Sequence, residues 1–171
     1  MTAVIASMIG ERLMVLAQGR EIVVAVEPID PQDLFRGDYV RLAYGMTRIP
    51  CEQVRDAGSY GRDSARNEPI YVVLKPQDGR YVLDFATLAK PGIGGDQVML
   101  RGAWSGYGSQ DFFFVRYGVE RYFVPQGHGR SIEAAVGEKR TDVVLAVTAG
   151  GTAAIKSLRI DGNEIYREGL F

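Results

Sequence analysis

One short segment constrains this chain more than any other: Pro28-Ile29-Asp30-Pro31-Gln32-Asp33-Leu34-Phe35-Arg36-Gly37-Asp38-Tyr39-Val40-Arg41-Leu42-Ala43-Tyr44. Pro31 has a fixed φ and no N–H, which suits the first position of a helical turn. Asp30 before it can accept from the free N–H groups of that turn, and Asp33 sits near the turn's positive end. Gly37 permits the left-handed conformation that ends it. From Asp38 the pattern becomes period two. Val40, Leu42 and Tyr44 share one face of a strand, and Tyr39, Arg41 and Ala43 share the other. The segment therefore predicts a capped turn, a glycine stop and a strand.

The rest of the chain is rich in strand signals. Strands are expected over Glu21–Val26, Tyr39–Tyr44, Ile70–Leu74, Tyr81–Phe85, Val98–Arg101, Phe112–Tyr117, Tyr122–Val124, Val143–Val147, Ala153–Ile160 and Glu164–Tyr166. Pro76-Gln77-Asp78-Gly79 and Asp161-Gly162 supply turns, proline by presetting φ and glycine by accepting a positive φ. Pro91–Asp96 and Ser105–Gln110 predict glycine-rich connections, and Gly61–Glu68 a polar loop. Short helices are expected over Glu52–Tyr60 and over Ile132–Val136, the second capped by Ser131. The sum is a mainly β (α+β) fold: a single compact β-barrel or sandwich with two or three short helices, and no internal repeat.

Composition narrows the classes of function. The 171 residues suffice for one domain with a real core. A net charge of −1 lacks the basic excess that phosphate backbones demand, so no nucleic-acid partner is expected. A single cysteine, Cys51, excludes an intrachain disulfide and reads as a small apolar side chain. A single histidine, His128, excludes a two-histidine metal site within the chain. Asp30, Asp33 and Asp38 lack the ligand register of a calcium loop and are expected to shape the turn. The glycine-rich Gly92–Gly95 and Gly106–Gly108 stretches lack the Lys-Ser/Thr ending of a phosphate-binding loop. No metal and no cofactor is expected.

Gly37-Asp38-Tyr39-Val40-Arg41-Leu42-Ala43-Tyr44 fits GDYxxLxY at all five fixed positions, and the chain resembles the bacterial GDYXXLXY protein family. Pro28–Pro31 is similar to that family's lead-in. Gly118-Val119-Glu120-Arg121-Tyr122-Phe123-Val124-Pro125-Gln126-Gly127 is similar to its second landmark, although Gln126 stands where the family leads us to expect a glutamate. The resemblance runs from about Glu21 to Gly162. It implies a membrane-anchored protein with its soluble domain facing the periplasm or exterior, and it implies no established activity.

The N-terminus admits two readings. Ala3–Ile9 is apolar, but far shorter than the roughly 20 residues that cross a bilayer, and no basic signal-peptide start precedes it. Residues 1–19 are either an amphipathic helix packed on the domain or the outer end of a membrane anchor that begins earlier. The resemblance favours the second, leaving 20–171 as a β-rich extracytoplasmic domain.

The candidate binding residues are Asp38, Tyr39, Arg41, Glu120, Tyr122 and His128; none is assigned a catalytic role. Tyr39 and Arg41 lie on the strand face opposite Leu42 and Tyr44, and such an aromatic–Arg pair resembles an interaction hot spot. The expected function is binding or assembly, with a membrane or envelope protein as partner. The alternative is an envelope hydrolase or glycan-binding protein using a cleft near Asp38, Glu120 and His128.

Overall fold

Alternation of apolar and polar residues produces eleven strands among the described residues. The computed structural model describes residues 10, 13–28, 39–56, 68–109, 111–123 and 129–167. The strands are β1 (Arg20–Ala25), β2 (Tyr39–Arg41), β3 (Arg48–Pro50), β4 (Pro69–Gln77), β5 (Arg80–Thr87), β6 (Val98–Ser109), β7 (Phe112–Arg116), β8 (Arg121–Phe123), β9 (Thr141–Val147), β10 (Ala153–Ile160) and β11 (Asn163–Arg167). One helix, α1 (Gly129–Gly137), precedes β9. A further helical turn covers residues 13–18. The fold is mainly β, as the sequence predicts.

The strands form a five-stranded antiparallel sheet, β3-β7-β6-β4-β5, a four-stranded antiparallel sheet, β1-β9-β10-β11, and a two-stranded ribbon, β2-β8. The five-stranded sheet curls nearly shut. The chain leaves β3 at one edge, makes a 3-10 turn over Cys51–Gln53, and reaches the opposite edge, where Val54 forms a parallel bridge with Ala86 of β5. The Arg55 N–H donates to the Ala86 carbonyl at 2.9 Å. Closure of this kind removes unpaired edges that would otherwise template association.

Main-chain bonds also tie the sheets together. The Arg101 N–H of β6 donates to Gly151, in the β9–β10 turn, at 2.8 Å. Past β1, the Glu27 N–H donates to Ala43 at 2.8 Å, joining the four-stranded sheet to the ribbon. One apolar core runs through all of this, including Ile22, Val24, Leu42, Ile70, Leu100, Phe113, Leu145 and Leu158. Every residue of β9 is buried, because both its faces are covered. That explains its unbroken apolar run, where a half-exposed strand would alternate. On one side, Val15 and Leu16 of the 13–18 turn pack on Ala146 and Ala154, whose small side chains leave room for it.

Several local expectations change. The helix expected over Glu52–Tyr60 is replaced, as far as Asp56, by the 3-10 turn and the Val54 bridge, since β-branched Val54 gains more from closing the sheet than from a helical turn. The Ser105–Gln110 connection is, through Ser109, the end of the 12-residue β6, whose register shifts at Trp104/Gly106 and Tyr107/Ser109 absorb extra residues as bulges. Pro76 pairs with Tyr81 inside the β4–β5 ladder, beyond the last residue paired with β6, and the turn itself is Asp78-Gly79. Both residues there have positive φ, as do Asp161-Gly162, the two-residue hairpin geometry that matches strand twist. Helix α1 begins at Gly129, so Ser131 lies inside it and is not its cap. The capped turn over Asp30–Gly37 and most of the Gly61–Glu68 loop lie outside the described residues.

Candidate functional site

The GDYxxLxY strand is built from both its faces. Val40, Leu42 and Tyr44 point into the core and are almost fully buried, while Arg41 is exposed on the other face. Burial of Tyr44 requires a partner for its hydroxyl. It donates to the Val119 carbonyl at 2.7 Å, 75 residues away in sequence. The Leu42 N–H donates to the Glu120 carbonyl at 2.9 Å, extending the β2–β8 ladder. In return the buried Tyr117 hydroxyl donates to the Met46 carbonyl at 2.6 Å. Two of these hydrogen bonds join the first landmark to the second, and the third ties the residues that flank them.

Glu120 stands at the centre of this weld. Its Oε1 accepts from the Tyr117 N–H and its Oε2 from the Gly118 N–H at 3.0 Å. Gly118 has a φ of +81°, the left-handed conformation that brings the two N–H groups round to one carboxylate. Both oxygens are thus engaged in shaping the turn between β7 and β8. Burial pushes the Tyr44 and Tyr117 phenols well above their ordinary value, and the nearby Glu120 charge adds to it.

Each phenol binds its proton more tightly when folded, so the folded state is penalised once the unfolded chain begins to lose these protons. We expect the contribution of these two phenols to stay constant up to about pH 10, where free phenols titrate, and to pull the urea midpoint down above it. Tyr44→Phe should flatten that alkaline decline while costing about 1 kcal/mol at neutral pH through the lost hydrogen bond. Urea titrations from neutral to strongly alkaline pH check both parts.

Beside the weld lies a groove of about 810 Å³. Its lining includes Arg41 of β2, Arg101 of β6, Arg116 of β7 and Arg121 of β8, with Gly102, Ala103, Pro69 and Glu120 between them. The four arginines are exposed, and Glu120 is half-buried. Arg41 and Arg121 are directly opposed in the β2–β8 register, and Arg116 is opposed to Ala103. The structure therefore places two of the expected binding residues, Arg41 and Glu120, at one groove. It buries a third, Tyr122, in the core. Tyr39 pairs with Phe123 through its backbone. Asp38 and His128 lie outside the described residues.

Sequence reasoning passed over Arg101 and Arg116. Each occupies an exposed position in an alternating strand, which by itself looks like an ordinary solvated site. Elsewhere, arginines stack on aromatic rings: Arg48 over Phe112 and Arg55 over Phe85, at 3.9 and 3.3 Å from the ring centroids. Cys51 packs against the core, and burial together with Asp111 pushes its thiol up, away from reactive thiolate. Among the described residues no three His, Cys, Asp or Glu side chains converge on a common metal position. No described helix is long and apolar enough to cross a membrane.

Fold and groove together define a β-rich domain of near-closed barrel form, with an arginine-lined depression beside a welded pair of sequence landmarks. The chain belongs to the GDYXXLXY protein family, whose profile matches residues 1–158. No curated protein and no solved structure matches it significantly.

Proposed function

We propose that this protein is a membrane-tethered, extracytoplasmic binding or assembly domain that performs no chemistry of its own. It docks a membrane or envelope protein through the exposed side of the β2–β8 ribbon and the groove beside it. The observation that carries this reading is the engagement of Glu120. A carboxylate whose two oxygens each already accept a backbone N–H bond is occupied in shaping the turn between β7 and β8. The landmark side chains of Leu42 and Tyr44 pack in the core beside the groove, and that of Glu120 holds the turn there. The tether is supported by the apolar Ala3–Ile9 run and by the family resemblance.

The test places a photo-crosslinking residue at Ala103, in the groove, or at the exposed Asn163 of β11, in the intact protein within its native envelope. We expect a discrete adduct with a membrane protein from position 103 and none from position 163. Turnover of an ester, peptide or glycan by the purified protein, with no adduct from position 103, contradicts the proposal.

A further inference from the structure

We propose that a second cleft, on the seam between the two larger sheets, binds a small organic ammonium with an apolar body. The cleft holds about 300 Å³ and shares no lining residue with the arginine groove. It is framed by the end of β1, by β5 from Tyr81 to Leu83, and by the turn that carries Gly45 and Met46. β1 and β5 are edge strands of their own sheets and do not pair with each other. Side chains close the seam where a ladder is missing, and that leaves the space. The site stands apart from the docking reading, and neither depends on the other.

Glu27 is the only charged residue of the lining, which is otherwise mostly apolar. Both phenols there are engaged: Tyr44 donates to the Val119 carbonyl, and Tyr81 accepts from Arg20 Nη2 at 2.9 Å. The Glu27 carboxylate has neither an ion pair nor a hydrogen bond among the described residues. Cations on the framing strands are committed elsewhere. Arg20 also donates to the Gly95 carbonyl at 2.9 Å, and Arg80 holds both oxygens of Asp142, at 2.9 and 3.0 Å. Lys75 of β4 pairs with Asp84 at 3.0 Å. Gly45 lets the free carboxylate lie over the turn, since a Cβ there would come within 3.0 Å of Glu27 Oε1. An exposed carboxylate alone gives a cation little, so the apolar lining must supply the rest by burying the ligand's body. Space for about ten waters is more than a bare ion or one lysine side chain fills. One anchoring charge in an apolar cleft is the usual build of a small-molecule site.

The test titrates the full chain with four probes: phenethylamine, phenethyl alcohol, phenylpropionate and a short peptide containing one lysine. We expect phenethylamine to bind, to shift the amide resonances of Ala25, Glu27, Gly45 and Val82, and to weaken as salt is added. The alcohol and the carboxylate should bind about tenfold more weakly or worse. Glu27→Gln should cost phenethylamine about tenfold while leaving the alcohol unaffected. Gly45→Ala keeps the charge but displaces it, and should weaken the amine several-fold. The flexible end of Glu27 can move aside for the new methyl, so both variants should keep the wild-type urea midpoint, which separates lost binding from lost folding. No localised shift with phenethylamine, equal binding of the alcohol, indifference to Glu27→Gln, or tighter binding of the lysine peptide overturns the assignment.

Discussion

Glu120→Ala is expected to lower unfolding free energy by about 2–3 kcal/mol, a large effect for a half-buried side chain in a loop. The reason lies in what the carboxylate leaves behind. The Tyr117 and Gly118 N–H groups lose a charged acceptor, and the turn that presents the Val119 and Glu120 carbonyls to Tyr44 and Leu42 loses its brace. Hydrogen bonds to charged groups are worth about 1.5–3 kcal/mol each, and partial exposure of the turn trims the sum. Glu120→Gln keeps one acceptor oxygen and should lose about half as much. Chemical denaturation of the three proteins measures the series. A catalytic glutamate would behave differently, since its removal usually leaves stability unchanged or improved.

Gly102→Ala should cost more, about 3 kcal/mol or beyond. A Cβ at position 102 would lie 2.3 Å from Val115 Cγ1, 3.1 Å from Tyr117 Cε1 and 3.2 Å from the Arg116 carbonyl oxygen. Val115 and Tyr117 are both buried, so neither can swing away cheaply. The added methyl must push β7 off β6 or distort the strand, directly beneath the arginine groove. Val115→Ala removes the closest obstructing atom. The double variant Gly102→Ala/Val115→Ala is therefore expected to be more stable than the sum of the single losses by about 1 kcal/mol or more. Additive losses would show that the clash is relieved elsewhere.

Much of the fold was legible because strand pattern and turn chemistry agree. The Asp161-Gly162 hairpin, the β10 strand over Ala153–Ile160 and the inward set Val40, Leu42 and Tyr44 all follow from period two and positive-φ residues. The misreadings share one cause, which is that long-range pairing outweighed local preference. Residues 52–56 look helical in isolation, but Val54 has an edge of β5 to close. The glycines after Trp104 look like a loop, but bulges keep that segment paired with β7. The site was half legible. Arg41 announced itself by lying opposite an apolar face, and Glu120 by its place in a landmark. Arg101 and Arg116 did not, because what unites them is the packing of four strands distant in sequence. The weld was equally invisible, since no local pattern joins Tyr44 to a carbonyl 75 residues away.

Native-state hydrogen exchange at the Leu42, Tyr117 and Gly118 amides tests the weld most directly. If Glu120 holds the two landmarks together, the three amides exchange slowly in the wild-type protein and lose protection together in Glu120→Ala, while β9 amides still report the global stability. Rapid exchange of all three in the wild type, or protection unaltered by the substitution, would mean that Glu120 is not a structural brace and would return it to the pool of reactive groups.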